Sequence, residues 1–176
     1  LWGVRPDLMT TAKAITNGYY PFGAVLISDG VAEAFEGNDD AFGNIGHGYT
    51  YSAHPVGAAA ALATLEETRR LGVADNAAAR GEELLAGCQD LLARHELVGD
   101  VRGRGLMICL ELVADRAAKT PVDKPVMAAM FEATYEAGVM IRVSGNNVIL
   151  SPPLIITADD VHRMLAALDA GLAAAG

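Results

Sequence analysis

The chain has 176 residues, room for one large domain or two small ones, and 52% of them are hydrophobic with a mean hydropathy of +0.26, so a core can be buried. A net charge of −9 and a pI of about 4.8 argue against a nucleic-acid groove and against an anionic membrane surface, both of which call for basic residues. No apolar run approaches the roughly 18 residues of a membrane span and no signal-peptide pattern is visible, so the expectation is a soluble, cytoplasmic protein. Cys88 and Cys109 stand far apart in apolar patterns and read as small core residues, not as a disulfide or metal pair.

Residues 1–7 read as a connecting loop. Residues 8–12 read as a short buried strand and 22–28 as a second apolar strand, with Asn17-Gly18 and Pro21 marking the loop between them. A short helix is expected over 29–36 and a loop over 37–48. An Ala-rich helix then starts at Pro55, a residue suited to a first turn. It runs to about Leu71, with Arg69 and Arg70 in its last turn and Gly72 as its stop. Residues 73–94 form a helix whose face is Leu84, Leu85, Cys88, Leu91 and Leu92. A hairpin over 98–113 has its expected turn at 102–105, and 114–123 is a loop. A helix over 126–137 ends at Gly138. Strands at 139–143 and 148–150 are joined by Ser144-Gly145-Asn146-Asn147. Thr157 caps a last helix, with Asp160 three residues on, and Val161, Met164, Leu165, Leu168 and Leu172 on its inner face. The result is an α/β first part and an α+β second part, divided near residues 72–74.

Three places could carry chemistry. The chain has three lysines, and Lys13 sits at a strand end among apolar segments while Lys119 and Lys124 lie in a polar loop. An amine kept partly out of water is held less firmly in its charged form, which suits a nucleophile that forms a Schiff base. A lone lysine is nonetheless usually a solvated or snorkelling group. Residues 47–56, HGYTYSAHPV, form a loop that leads into a helix N-terminus, where free N–H groups and the helix dipole favour a phosphate. The plainer role for Thr50 or Ser52 there is to cap the helix. Arg142, at the end of an apolar strand, could pair bidentately with a carboxylate, or could be a snorkelling or salt-bridged residue, the commoner case. Gly103-Arg104-Gly105 lacks the third glycine of a dinucleotide fingerprint, and the four histidines show no zinc spacing, His47 and His54 reading as loop and helix-start hydrogen-bonders.

The run PDLMTTAKAITNGYYPFGAVLIS resembles the lysine segment of class III aminotransferases, close to those acting between omega-amino acids and pyruvate. HGYTYSAHPV and VMIRVSGNNVILSPPLIIT resemble two further segments of that family. The resemblance implies that Lys13 carries pyridoxal 5'-phosphate as a Schiff base and moves a proton as general base and acid. It implies that Thr50, with Tyr49 beside it, binds the phosphate in the neighbouring subunit of a homodimer. It implies that Arg142 clamps a substrate carboxylate. Ala53 stands where the family has glycine, an expensive change if the backbone there needs a positive φ.

The resemblance covers the whole chain but only the C-terminal part of the family's length. The implied architecture is the end of the large α/β pyridoxal-phosphate-binding domain (1–72) and the small α+β C-terminal domain (73–176). The family's Asp that pairs with the cofactor ring and its Gly-rich phosphate loop lie upstream of such a segment. The expected function is transfer of an amino group from an amine or omega-amino acid to a keto acid such as pyruvate. The alternatives are an inactive fragment serving as a folding or dimerisation unit, or a class III aminomutase or decarboxylase.

Overall fold

The computed structural model describes residues 3–36 and 46–176, and the chain divides into two units, Leu1–Arg70 and Leu71–Gly176. Most of the expected loop at 37–48 lies outside the described residues.

In the first unit β1 (Leu8–Ala12) pairs antiparallel with β2 (Gly23–Ile27), Leu8 opposite Ile27 and Ala12 opposite Gly23. Threonine and β-branched residues favour these strands. The expected burial of residues 8–12 is not found: Leu8 is 60% exposed, and Val25 on the partner strand 62%. A two-stranded ribbon has two open edges and no layer of its own to bury its faces. A short helix α1 (Asp29–Glu33) follows β2, where Ser28 donates its hydroxyl to Asp7 Oδ1 at 2.9 Å. Helix α2 (Pro55–Arg70) begins at the expected proline and ends on Arg69 and Arg70. Gly72 takes φ 57°, the left-handed conformation in which glycine closes helices.

The second unit is an antiparallel sheet covered on one face by three helices. Its strands β3 (Val98–Arg104), β4 (Met107–Asp115), β6 (Arg142–Ser144) and β7 (Asn147–Leu150) lie in the order β3-β4-β7-β6, and the short β5 (Thr120–Pro121) also pairs with β4. Along β4 the side chains alternate. Ile108, Leu110 and Leu112 are buried, while Met107, Cys109 and Glu111 face the other way. The buried face meets Leu84, Cys88 and Leu91 of α3 (Val73–Arg94), Met127 and Met130 of α4 (Lys124–Glu136), and Val161, Leu168 and Leu172 of α5 (Ala158–Ala175). Each fully buried Leu of this set contributes roughly 1.5–3 kcal/mol. Burial pushes the Cys88 thiol up to about 12, so this cysteine is an inert core residue, whereas Cys109 lies half-buried on the other face of the sheet.

Several boundaries move from their expected places. The β3–β4 turn is at Gly105-Leu106 instead of 102–105: Arg104 pairs with Met107, and Gly105, at φ 53°, supplies the positive φ of a two-residue hairpin loop. The loop at 114–123 contains β5, and α4 starts two residues early at Lys124. The strand at 139–143 is shorter and later, Arg142–Ser144. The capping box forms as expected: the Asp160 amide donates to the Thr157 hydroxyl and the Thr157 amide donates to the Asp160 carboxylate. Long-range ties close the far end of α3. Arg116 donates to the carbonyls of Leu92, His95 and Val98, and Asp169 of α5 takes His95 and Arg94. Those two partners, His95 first, hold the Asp169 carboxyl below its ordinary range.

Helix α3 meets the β3–β4 turn at Gly81. A Cβ there would stand 2.3–2.5 Å from the Gly105 backbone, a contact that only movement of the turn could relieve. Alanine is the better helix former by roughly 1 kcal/mol, but overpacking costs about 1–3 kcal/mol. Gly81→Ala is therefore expected to lower unfolding stability by about 1–2 kcal/mol in chemical denaturation, while Gly→Ala at the open Gly72 is limited by its positive φ alone.

Candidate active site

Lys13 stands where β1 ends and opens a 3-10 turn, Lys13–Ile15. Its φ is 54°, in the left-handed region that a residue with a Cβ occupies at a cost of roughly 1–2 kcal/mol. Asn17 (φ 49°) and Gly18 (φ 80°) follow, the residue types that enter this region most easily. The turn is held from inside. The Asn17 amide donates to the Ala14 carbonyl at 3.1 Å, the Tyr19 amide to the Thr16 carbonyl at 3.0 Å, and the Thr16 hydroxyl to the Tyr20 carbonyl at 2.6 Å. Thr16 is buried, 1% exposed. Lys13 itself is exposed, so the expected desolvation of its amine is not found in this chain. Lys119 takes the same left-handed conformation (φ 55°), so the φ alone does not single out Lys13; what distinguishes it is that its strained turn lies inside the segment that resembles the family's lysine motif. The sequence signals that turn only through Asn17-Gly18, which mark a loop but not the lysine.

Residues 46–54 lead into α2. The Tyr49 amide donates to the Ser52 hydroxyl at 3.0 Å, the Ser52 amide to the Tyr49 carbonyl at 2.9 Å, and the His54 amide to the Tyr51 carbonyl at 3.2 Å. Neither Thr50 nor Ser52 caps the helix. That place is taken by His54, whose Nδ1 accepts from the Val56 amide at 3.3 Å. Among the described residues the Thr50 hydroxyl has no hydrogen-bond partner, and Tyr49 is exposed with its ring edge-on to His47. The loop and the lysine segment meet at aromatic rings. Tyr20 stacks on His54 with centroids 5.3 Å apart. Both Tyr20 and Phe22 press on Gly57 of α2, where a Cβ would come within 3.0 Å of Tyr20 and 2.6 Å of Phe22. The lysine's 3-10 turn also lies against α2. His54 thus makes the helix-start hydrogen bond expected of it, while its stack on Tyr20 and the close packing at Gly57 are supports that sequence reading did not single out.

Arg142 belongs to the second unit. It opens the edge strand β6 and lies in a row across the outer sheet face with Ile149, Cys109 and Arg102. The two arginines of the row differ. Arg102 donates to Asp100 and Glu111, each at 2.7 Å, and to Asn147 at 3.0 Å, and these acids hold its guanidinium still more firmly protonated. Arg142 is exposed and makes no hydrogen bond or ion pair with the described residues. An arginine fixed by a neighbouring acid is therefore not what the structure shows; the exposed side chain fits a snorkelling arginine as well as a planar donor set left open to an anion.

An exposed amine on a fixed turn and an unpartnered hydroxyl on a loop before a helix N-terminus are the donors that an aldehyde and a phosphate require. The chain's own residues in the first unit thus fit pyridoxal phosphate. Ala53 is the exception to an otherwise unstrained loop: its φ is 58°, the conformation in which the missing glycine matters. Ala53→Gly is expected to raise stability by about 0.5–1 kcal/mol, read as a higher denaturation midpoint, because relief of the strained backbone outweighs the added freedom of the unfolded chain. An unchanged or lowered midpoint would mean that the loop relaxes around Ala53 without strain.

Comparison with known proteins bears on the same segments. The family profile described as Aminotransferase class-III matches residues 1–172. The diaminobutyrate–2-oxoglutarate transaminase of Halomonas elongata is 38% identical over 169 residues, which is 94% of this chain and 36% of that protein. The taurine–pyruvate aminotransferase of Bilophila wadsworthia is 36% identical over 180 residues, 96% of this chain and 39% of that one. Among solved structures, an amine transaminase from an uncultivated Pseudomonas species, in its PLP-bound form, superposes with a TM-score of 0.91 at 43% identity, covering 99% of this chain and 40% of that one. A thermostable (S)-enantioselective omega-transaminase from Thermomicrobium roseum gives 0.87 at 35% identity, covering 99% and 38%. The chain thus spans about two fifths of the length of the proteins it matches, and over that span it has their mixed α/β fold. With the profile spanning nearly every residue and the lysine and threonine segments in place, this chain belongs to the class III aminotransferase family.

Proposed function

We propose that the chain is the C-terminal portion of a pyridoxal-phosphate-dependent transaminase, moving an amino group from an amine or omega-amino acid to a keto acid such as pyruvate. The observation that carries this reading is the match of residues 1–172 to the family, with Lys13 inside the matched segment on a turn that a buried threonine closes. Pyridoxal phosphate, when bound, supplies an aldehyde carbon that takes up amines and a ring that accepts electrons. Lys13 Nζ would hold the cofactor, and as a free amine it would take a proton from the substrate carbon and return it as a general acid. The Thr50 hydroxyl and the neighbouring N–H groups hold the phosphate, with Tyr49 alongside. In this reading they serve the partner's site, so the working protein is a homodimer or a larger homo-oligomer. Arg142 binds the carboxylate of the amino acceptor and takes no part in proton transfer. Its freedom from intramolecular acids supports that role. Among the described residues no helix is long and apolar enough to cross a membrane, in keeping with the cytoplasmic placement proposed here.

The reading is tested at Lys13. Reduction of the full-length, pyridoxal-phosphate-loaded protein with borohydride, followed by peptide mapping, is expected to place the pyridoxyl group on Lys13. A label on Lys119 or Lys124 would overturn the assignment.

Arg142→Ala is expected to raise KM for a keto acid by roughly ten- to a hundredfold, the range of a lost charge-assisted hydrogen bond. It should leave the half-reaction with a simple amine nearly intact, since such a substrate has no carboxylate. Arg142→Lys should restore only part of the loss, because an ammonium cannot make the two-pronged contact. Stopped-flow measurement of each half-reaction separates the outcomes. Equal damage to both would give Arg142 a structural role instead.

A further inference from the structure

His54 occupies a position that its capping bond alone does not explain. Ser, Asn, Asp and Thr are the effective residues at a helix start. The bond that His54 makes there, Nδ1 to the Val56 amide, is long at 3.3 Å. The ring does more than this. It stacks on Tyr20 at 5.3 Å with an interplanar angle of 27° and touches Tyr51 at 5.8 Å. Tyr20 is a fixed platform: its carbonyl accepts the buried Thr16 hydroxyl, and its ring lies on Gly57, where no larger residue fits without movement. By contrast the hydrogen bonds of residues 49–54 join only near neighbours, and residues 46–53 are exposed. His54 is the one residue of 46–54 that is partly sheltered.

We infer that His54 is a positioning residue, locking the loop that bears Thr50 to the turn that bears Lys13 through its stack on Tyr20. The inference rests on the proposed phosphate role of Thr50. It adds that one chain's lysine turn and its phosphate loop move as one body, with the imidazole ring as the bond between them. In an offset aromatic pair both the shared area and the ring edge-to-face electrostatics favour a fixed relative placement. A hydroxyl meant for phosphate needs such placement, because hydrogen bonds weaken steeply as their geometry departs from alignment.

A double-mutant cycle on the full-length protein, titrated with pyridoxal phosphate, tests this. Thr50→Ala and His54→Ala are each expected to weaken binding about tenfold, the order of one hydrogen bond to a charged group. The double variant should be no weaker than either single within about twofold, since a misplaced hydroxyl and an absent one are equivalent. His54→Phe, which keeps the ring, should bind as the parent does. His54→Asn, which keeps an acceptor for the Val56 amide but not the stack, should behave as His54→Ala, and it replaces that variant in the cycle if His54→Ala does not fold. Additive losses, or rescue by Asn and not by Phe, would overturn the inference while leaving the phosphate role of Thr50 standing. An unchanged affinity in Thr50→Ala would overturn that role and this inference with it.

Discussion

One short hydrogen bond, from the buried Thr16 hydroxyl to the Tyr20 carbonyl, closes the turn on which the first unit is built. It works together with the backbone bonds from the Thr16 amide to the Lys13 carbonyl and from the Asn17 amide to the Ala14 carbonyl, which close the turn at the lysine itself. The magnitudes are comparable. A buried hydrogen bond contributes about 1 kcal/mol net, and a non-glycine residue at positive φ costs about 1–2 kcal/mol. The remainder is offset by packing, with Tyr20 and Phe22 set against Gly57 so closely that a methyl group would not fit. The lysine turn, the helix and the loop before it are therefore coupled by contact, and strain at Lys13 is maintained by its surroundings.

The second unit answers a different physical demand. Its sheet has one dry face, sealed by three helices, and one face that carries charge. On that outer face a long strand register places two arginines in one row, and neighbouring acids satisfy only one of them. Arg102 holds three strands together at their surface through Asp100, Glu111 and Asn147. Arg142, on the edge strand, is left with its hydrogen-bonding capacity unused by the described residues. A paired and an unpaired arginine thus stand at opposite ends of a single row.

Where local chemistry dictates conformation, the sequence could be read directly. Thr157 and Asp160 form their reciprocal cap, Pro55 begins a helix, Gly72 and Gly138 end two others, and the apolar faces of α3 and α5 lie inward. Boundaries failed where two signals competed. Gly103 and Gly105 both read as turn residues, yet Gly103 is needed within the strand, where its missing side chain lets Ile108 and the Met107 carbonyl approach. Burial of residues 8–12 was misjudged because apolar, β-branched composition reports what a strand can bury and not what covers it. The candidate site residues Lys13, Thr50 and Arg142 were read from motifs alone. Their supports were not legible: a left-handed φ at lysine has no side-chain signature, and the contact of Tyr20 with His54 joins residues 34 positions apart in the chain. The one departure from the family's pattern that could be read, Ala53, does fall at a positive φ.

In the function proposed for this chain, Lys13 keeps a costly conformation because its amine is needed there. Glycine at that position would keep the turn and discard both the amine and the strain. The unfolding free energy of Lys13→Gly, compared with the parent in the absence of cofactor, is the direct measure. A gain of about 1 kcal/mol, accompanied by loss of covalent cofactor attachment, is the result expected when function holds a residue against its own preference. A Lys13→Gly variant no more stable than the parent would contradict it, showing that the turn accepts lysine without strain.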